Sequence, residues 1–282
     1  MAPLSTRSRP NGIARFIPRG KLRPFVDLIL QYNGLLQAHD LERVLPTGTM
    51  SIIINLADDK SRKYAPADPR RVERLPGSIL SGPHGAYFLI GTAEQASVLG
   101  VAFTPGGAAP FLHMPASEVR DLLVSLEDVW GAEAHGLRER LLEATPDGRF
   151  AILESWLLQQ ACGDLTQHPA VTHALTEFGG VPHIQSVSEV TDHVGLSSRR
   201  FIEVFDDEIG LTPKLYCRIR RFQHAIRLVH ESDDVDWADL AARVGYYDQS
   251  HLIGEFQEFS GLNPSAYLKD RGIHMNHVPF RA

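Results

Sequence analysis

Hydrophobic and polar positions follow two different periods along the chain. Up to about residue 112 the apolar residues come in short runs, such as "SIIINLA" at 51–57 and "VLGVAF" at 98–103. Their length and β-branched content predict buried strands. A Pro-Thr-Gly turn leads into the first run, and the Gly-rich "TPGGAAPF" comes after the second. The stretch between them, "YAPADPRRVERLPGSILSGPHGAYFLIG", is punctuated by Pro and Gly, as loops joining short strands should be. From Pro115 the period lengthens through "PASEVRDLLVSLEDVW", "AEAHGLRERLLEA" and "DGRFAILESWLLQQ". There Leu137 pairs with Leu141, and Ile152 and Leu153 pair with Trp156 and Leu157, which predicts amphipathic helices. "ACGDLTQHPA" reads as a linker, and the chain beyond it reads as helix. The pattern therefore predicts a multidomain α+β chain. An extension over 1–20 leads into a domain over 21–160, with strands to about 114 and helices over 115–160. A linker over 161–168, an all-α domain over 169–270 and an unstructured tail over 271–282 complete it.

The helical half contains a repeat. "GLTPKLY", Gly210 to Tyr216, and "GLNPSAY", Gly261 to Tyr267, share one frame 51 positions apart. Upstream, Gly195, Val194, Val190 and Ser186 match Gly245, Val244, Leu240 and Asp236 at an offset of 50. The single extra residue falls just after the first glycine, where "GLS" becomes "GYYD". Insertions collect in turns, so the repeat has a structural origin.

Both copies obey helix grammar. Ser186 with Glu189 forms a capping box, and Asp236 with Asp239 approximates one. A short helix then ends at Gly195 or Gly245, suited to a left-handed cap. Ser197 or Asp248 caps a second helix that ends at Gly210 or Gly261. Thr212 or Asn263 caps the next, with Pro213 or Pro264 at its first position. Helix, tight glycine turn, helix is the helix-turn-helix unit, whose second helix presents its N-terminal residues to base edges in the major groove. Between the copies Leu215, Ile219, Phe222, Ile226 and Val229 make one apolar stripe. A helix of about 18 residues there would be roughly 27 Å long, long enough to hold two such units apart. Arg218, Arg220, Arg221 and Arg227 fall largely off the stripe, open to solvent or to phosphate.

Composition adds limits. The chain has 282 residues with 43% hydrophobic and 22% charged positions, as expected of a soluble protein of two domains. No apolar run approaches the roughly 20 residues of a membrane span, and the N-terminus has no signal-like apolar core. With only Cys162 and Cys217, no disulfide framework or cysteine zinc site is expected, and the cytosol is the expected location. The net charge is −6, and from Ala170 onward sixteen Asp/Glu face eleven Lys/Arg. Counterion release grows with each neutralised phosphate, so nonspecific DNA affinity should be weak.

The C-terminal half resembles the AraC/XylS family of bacterial transcription regulators over about residues 168–268. The resemblance rests on "VTDHVGLSSRRFIEVFDDEIGLTPKLYCRIRRFQHAIRLV" and "LAARVGYYDQSHLIGEFQEFSGLNPSAY". It implies a cytoplasmic, sequence-specific regulator, activator or repressor, whose two units read successive major-groove segments. It further implies base-facing Ser198, Arg199, Arg200, Ile202 and Glu203, then Gln249, Ser250, His251 and Ile253, with Arg220 near phosphate. Glu203 and Gly254 stand where the family often carries a basic residue. The N-terminal half resembles a domain of uncharacterised function often fused to this module, through "LRPFVDLILQY", "RVLPTGTMSIIINL", "GVAFTPGGAAPFL" and "LEDVWG". That likeness implies a cupin-like β-barrel that senses or dimerises. His84 and Tyr87 are candidates for lining its pocket. The partners implied are double-stranded DNA, RNA polymerase, an unknown small-molecule effector and a second copy of the chain, with no membrane.

Two other functions compete. A cupin-type metalloenzyme needs clustered ligands, whereas His39, His84 and His113 are scattered and "HMNH" lies in the tail. No nucleophile elbow, phosphate loop or dinucleotide fingerprint occurs, so no catalytic residue, metal or cofactor is expected. The acidic balance also allows an interaction or adaptor protein with weakened DNA binding.

Overall fold

A computed structural model describes residues 12–33, 38–179, 187–272 and 274–281. The first half is built from short antiparallel strands. They are β1 (Ile13–Phe16), β2 (Val26–Asn33), β3 (Leu41–Val44), β4 (Ser51–Asn55), β5 (Ser61–Ala65), β6 (Asp68–Leu75), β7 (Ser78–Ser81), β8 (Phe88–Gly91), β9 (Ser97–Phe103) and β10 (Leu123–Ser125). Three helices come next, α1 (Leu126–Trp130), α2 (Leu137–Glu143) and α3 (Pro146–Gln159). The second half carries α4 (Pro169–Gly179), α5 (Val187–Val194), α6 (Ser198–Ile209), α7 (Pro213–His230), α8 (Trp237–Arg243), α9 (Gln249–Ser260) and α10 (Pro264–Asp270). It ends in β11 (His277–Phe280).

The strands form two sheets, ordered β1-β2-β9-β4-β7-β10 and β11-β3-β8-β5-β6. Alternation along the strands decides what each face meets. In β4, Ile52 and Ile54 enter a core with Phe150, Leu153 and Trp156 of α3, while Ile53 turns to a cluster with Ile79 and Phe88. The helices thus cover one face of the six-stranded sheet, and its other face looks toward the second sheet. That two-sheet domain joined to a helical domain is the α+β organisation read from the sequence.

Three local expectations change. The helical period predicted from Pro115 is interrupted, because residues 116–119 form a 3-10 turn and Leu123–Ser125 pair with β7 as a strand. Asp121 sits at φ 60, a left-handed conformation that an α-helix cannot include. Its amide bonds to the Pro83 carbonyl, and its carboxylate accepts from the Gly85 amide at 2.6 Å. Strand β1 lies within the stretch read as an extension and pairs with β2. The tail expected to be free supplies β11, which pairs with β3. Buried Arg43 and Glu42 explain that order. Arg43 donates to the Pro279 carbonyl at 2.7 Å, and Glu42 bonds His39 at 2.9 Å and His277 at 3.0 Å. A buried ionic side chain needs such partners, and the returning strand provides them.

The repeat folds as its caps dictate. Ser197 accepts from the Arg200 amide at 3.3 Å and Asp248 from the His251 amide at 2.8 Å. Thr212 and Asn263 cap α7 and α10 in the same way. Gly195, Gly210, Gly245 and Gly261 all have φ between 68 and 80. The proposed partnership of Ser186 with Glu189 involves a residue outside the described ones.

Candidate nucleic-acid interface

Each recognition helix is split lengthwise by its periodicity. On α6, Phe201, Val204, Phe205 and Ile209 are buried. Ser198, Arg199, Arg200 and Ile202 are exposed, and Glu203 is half-buried. On α9, Leu252, Phe256 and Phe259 are buried while Gln249, Ser250, His251 and Ile253 are exposed. Every base-facing candidate therefore lies on the outward face or at its edge, and two large apolar side chains, Ile202 and Ile253, hold equivalent outward positions. The rod α7 spans both units. Phe205 packs against Tyr216 at its start with ring centroids 5.6 Å apart, and Phe256 and Phe259 pack against Phe222 at its centre at 5.2 and 5.3 Å.

The charges are arranged unequally. Glu203 accepts from Arg199 at 3.0 Å and from Arg200 at 3.4 Å, and those bonds hold its carboxyl below the usual range. Such exposed pairs are weak and exchange readily for other partners. In the second unit the aligned positions are Ser250, His251 and Gly254, so that face carries no arginine. Arg220 is half-buried on α7, and no ion pair is formed by it among the described residues. Arg218 and Arg221 turn inward instead of meeting solvent or phosphate. Arg218 bonds Glu255 at 2.8 Å and Glu258 at 2.5 Å, and Arg221 bonds the Gly245 carbonyl at 3.0 Å.

Three residues at or beside the candidate interface escaped sequence reasoning. Glu255 is 4% exposed and ties α9 to α7; its equivalent in the first unit is the core-facing Val204, which was a readable signal. Tyr247 is 93% exposed and is the extra residue of the second unit. Arg120 bonds Asp206 and, at 2.5 Å, the Gly210 carbonyl, fastening the end of α6 to the first domain; no local pattern announced it.

The two Gly-Leu-x-Pro turns share that docking surface. A Cβ on Gly210 would lie 2.5 Å from Pro83, and one on Gly261 would lie 2.6 Å from the Tyr87 ring. The loop over 82–87 therefore touches both helix-turn-helix units. His84, buried within it, packs on Phe88 at 4.2 Å, and burial, reinforced by Lys63 and opposed by Asp121, drives its imidazole down to about 4. Strands β7 and β8, on either side of this loop, help to wall a cavity of about 240 Å³ between the sheets. Its lining is mostly apolar, with Tyr32, His277 and the Arg62–Glu94 ion pair at 2.8 Å supplying polar groups. His84 and Tyr87 are not among its lining residues; they belong to the interdomain loop. Among the described residues, no group of three His, Cys, Asp or Glu side chains could hold a metal ion, and no helix is long and apolar enough to cross a membrane. His113 lies 3.4 Å from Cys162 instead.

Two capped helix pairs mounted on one rod, with their second helices exposed at the N-terminal ends, define a double helix-turn-helix protein. Residues 190–270 match the family described as "Helix-turn-helix domain", and residues 14–125 match a "Domain of unknown function (DUF6597)". An uncharacterised HTH-type transcriptional regulator of Haemophilus influenzae is 31% identical over 87 residues, covering 31% of this chain and 28% of that protein. The melibiose operon regulatory protein of Escherichia coli is 26% identical over 84 residues, covering 30% of this chain and 28% of its own length. The matched stretch thus spans just over a quarter of these relatives. The solved structure of ToxT from Vibrio cholerae is similar with a TM-score of 0.47 and 9% identity, over 86% of this chain and 96% of that one. Residues 190–270 are thus an AraC-type helix-turn-helix domain, joined to a β-rich N-terminal domain.

Proposed function

We propose that the protein is a sequence-specific, DNA-binding regulator of transcription whose N-terminal domain responds to a small molecule. The observation that carries the reading is the pair of equivalent outward faces, Ser198–Glu203 and Gln249–Ile253, on helices whose opposite sides are buried. Arg199 suits a guanine edge, Gln249 an adenine edge, and Ile202 and Ile253 a thymine methyl. Glu203, between Arg199 and Arg200, releases them when phosphate or base takes its place. Arg220 would add a phosphate contact from the rod.

The cavity between the sheets suits a small, mostly apolar molecule with one polar end facing Arg62 and Glu94. One Glu94 carboxylate oxygen is buried without a hydrogen-bond partner, which leaves an acceptor for such a ligand. An occupant that parts the sheets would press the 82–87 loop against Gly210 and Gly261. It changes DNA binding only by favouring one docked arrangement energetically. Leu142 and Leu158, exposed on α2 and α3, support pairing of two chains through the helices after the strands.

The test is selection of bound sequences from a random duplex pool. One motif should emerge, with a shallow salt dependence of about −2 to −4 in the slope of log K against log salt. Arg199→Ala should broaden the motif at one position at a cost of about 1–3 kcal/mol. An unchanged motif and affinity would remove Arg199 from the interface. The acidic balance favours an adaptor as the second reading, and it would be favoured further if no sequence were enriched.

A further inference from the structure

We infer that Tyr247 anchors the second helix-turn-helix unit to DNA, its phenol donating a hydrogen bond to a phosphate oxygen beside the bases read by α9. The inference rests on the DNA-binding reading above and goes beyond the base-facing positions that the family pattern supplies.

Tyr247 has three properties that together require an explanation. It is the inserted residue of the second unit, because Leu196 and Ser197 of the first correspond to Tyr246 and Asp248. Tyr246 is buried and Asp248 caps α9, so neither neighbour is free for another task. Tyr247 itself is 93% exposed, the most exposed of the large apolar or aromatic side chains described. An aromatic ring left in water contributes nothing to folding, since its burial is what stabilises. Its place, one residue before the N-cap of the recognition helix, is where a side chain meets the backbone flanking the contacted bases.

Charge explains why a neutral donor is needed there. The first unit caps α6 with neutral Ser197 and places Arg199 and Arg200 just after it. The second caps α9 with the carboxylate of Asp248, which repels phosphate, and has no basic residue in the aligned places. Its amide ends are also partly occupied: the Asp248 carboxylate accepts from His251, and the Tyr247 amide faces His251 Nδ1 at 3.4 Å. A phenol can donate to phosphate without carrying charge. Gly254, with nothing within 4 Å of where a Cβ would stand, leaves the outward face low, so the duplex can come close enough for Tyr247 to reach. The two units thus hold DNA differently, the first by guanidinium charge and the second by a hydroxyl.

The experiment uses the full chain and a duplex enriched by the wild-type protein from a random pool, with binding measured by fluorescence anisotropy across a KCl series. Tyr247→Phe and Tyr247→Ala should each weaken binding about tenfold, as loss of a hydrogen bond to a charged acceptor does. Both should leave the salt slope and the selected motif unchanged, because a neutral donor releases no counterion. Arg220→Ala, which removes the phosphate contact assigned to the rod, serves as the contrast and should make the slope shallower by about one. Thermal unfolding of the Tyr247 variants should match wild type, since the side chain is exposed. Tyr247→Phe binding as wild type would overturn the hydroxyl assignment, and Tyr247→Ala binding as wild type would overturn any contact. A wild-type chain that enriches no sequence would overturn the DNA-binding reading itself, which distinguishes the two failures.

Discussion

Glu255→Ala should lower the stability of the C-terminal domain by about 3–5 kcal/mol, the cost of removing one partner from a buried ion pair. The carboxylate is 4% exposed, and Arg218 Nε stands 2.8 Å from one oxygen with His251 Nε2 3.7 Å from the same atom. Arg221 Nε lies 3.9 Å from the other oxygen. Truncation leaves Arg218 only the exposed Glu258 and Arg221 only the Gly245 carbonyl in a partly buried seam between α7 and α9. For a domain of this size each kcal/mol moves the midpoint by roughly 4–8 °C, so the loss would be plain in urea or thermal unfolding. Glu258→Ala removes only an exposed arm of the same network and should cost less than about 1 kcal/mol. A Glu255→Ala chain as stable as the Glu258→Ala chain would mean that the seam is hydrated and that α9 is held by its aromatic residues alone.

Gly210→Ala should be destabilising by at least about 2 kcal/mol more than Gly195→Ala. Both glycines are left-handed, at φ 77 and φ 70, and each substitution meets the roughly 1–2 kcal/mol cost of that conformation in an L-residue. Only Gly210 faces a neighbour. A Cβ there would lie 2.5 Å from Pro83 and 2.8 Å from the Ala116 carbonyl oxygen, whereas one on Gly195 would meet nothing within 4 Å. Backbone cannot move aside as a flexible side chain can, so the contact must open, and with it the bond from Arg120 to the Gly210 carbonyl. Small-angle scattering and limited proteolysis within 161–168 would report the separation. Equal costs for the two substitutions would show that the domains are not held together at this turn.

The duplicated module was legible because its determinants are local. Caps at Ser197, Asp248, Thr212 and Asn263, and glycines at the helix ends, act over three or four residues and appear in sequence in the order in which they fold. The strand "SIIIN" was legible for the same reason. Non-local causes were not. Leu123–Ser125 looked helical by period, but the left-handed Asp121 and the open edge of β7 decide its state. Strand β11 is four residues with a proline, and its partner β3 is some 236 positions earlier; nothing near it forecasts pairing. Pocket candidates chosen from the loop over 82–87 were displaced from the cavity for a related reason: the loop's residues turn toward the second domain, and the strands beside it face the space between the sheets. At the interface the outward faces were readable from periodicity. Which arginines turn inward depended on a buried glutamate across the helix seam.

Hydroxyl-radical footprinting of the full chain on a duplex selected from a random pool tests the central claim most directly. Two protected patches on one face of the duplex, with centres about 10 base pairs apart, are the expected result, because two units on one rod of roughly 27 Å meet neighbouring major-groove segments. A single protected patch, or none on any enriched sequence, would contradict it.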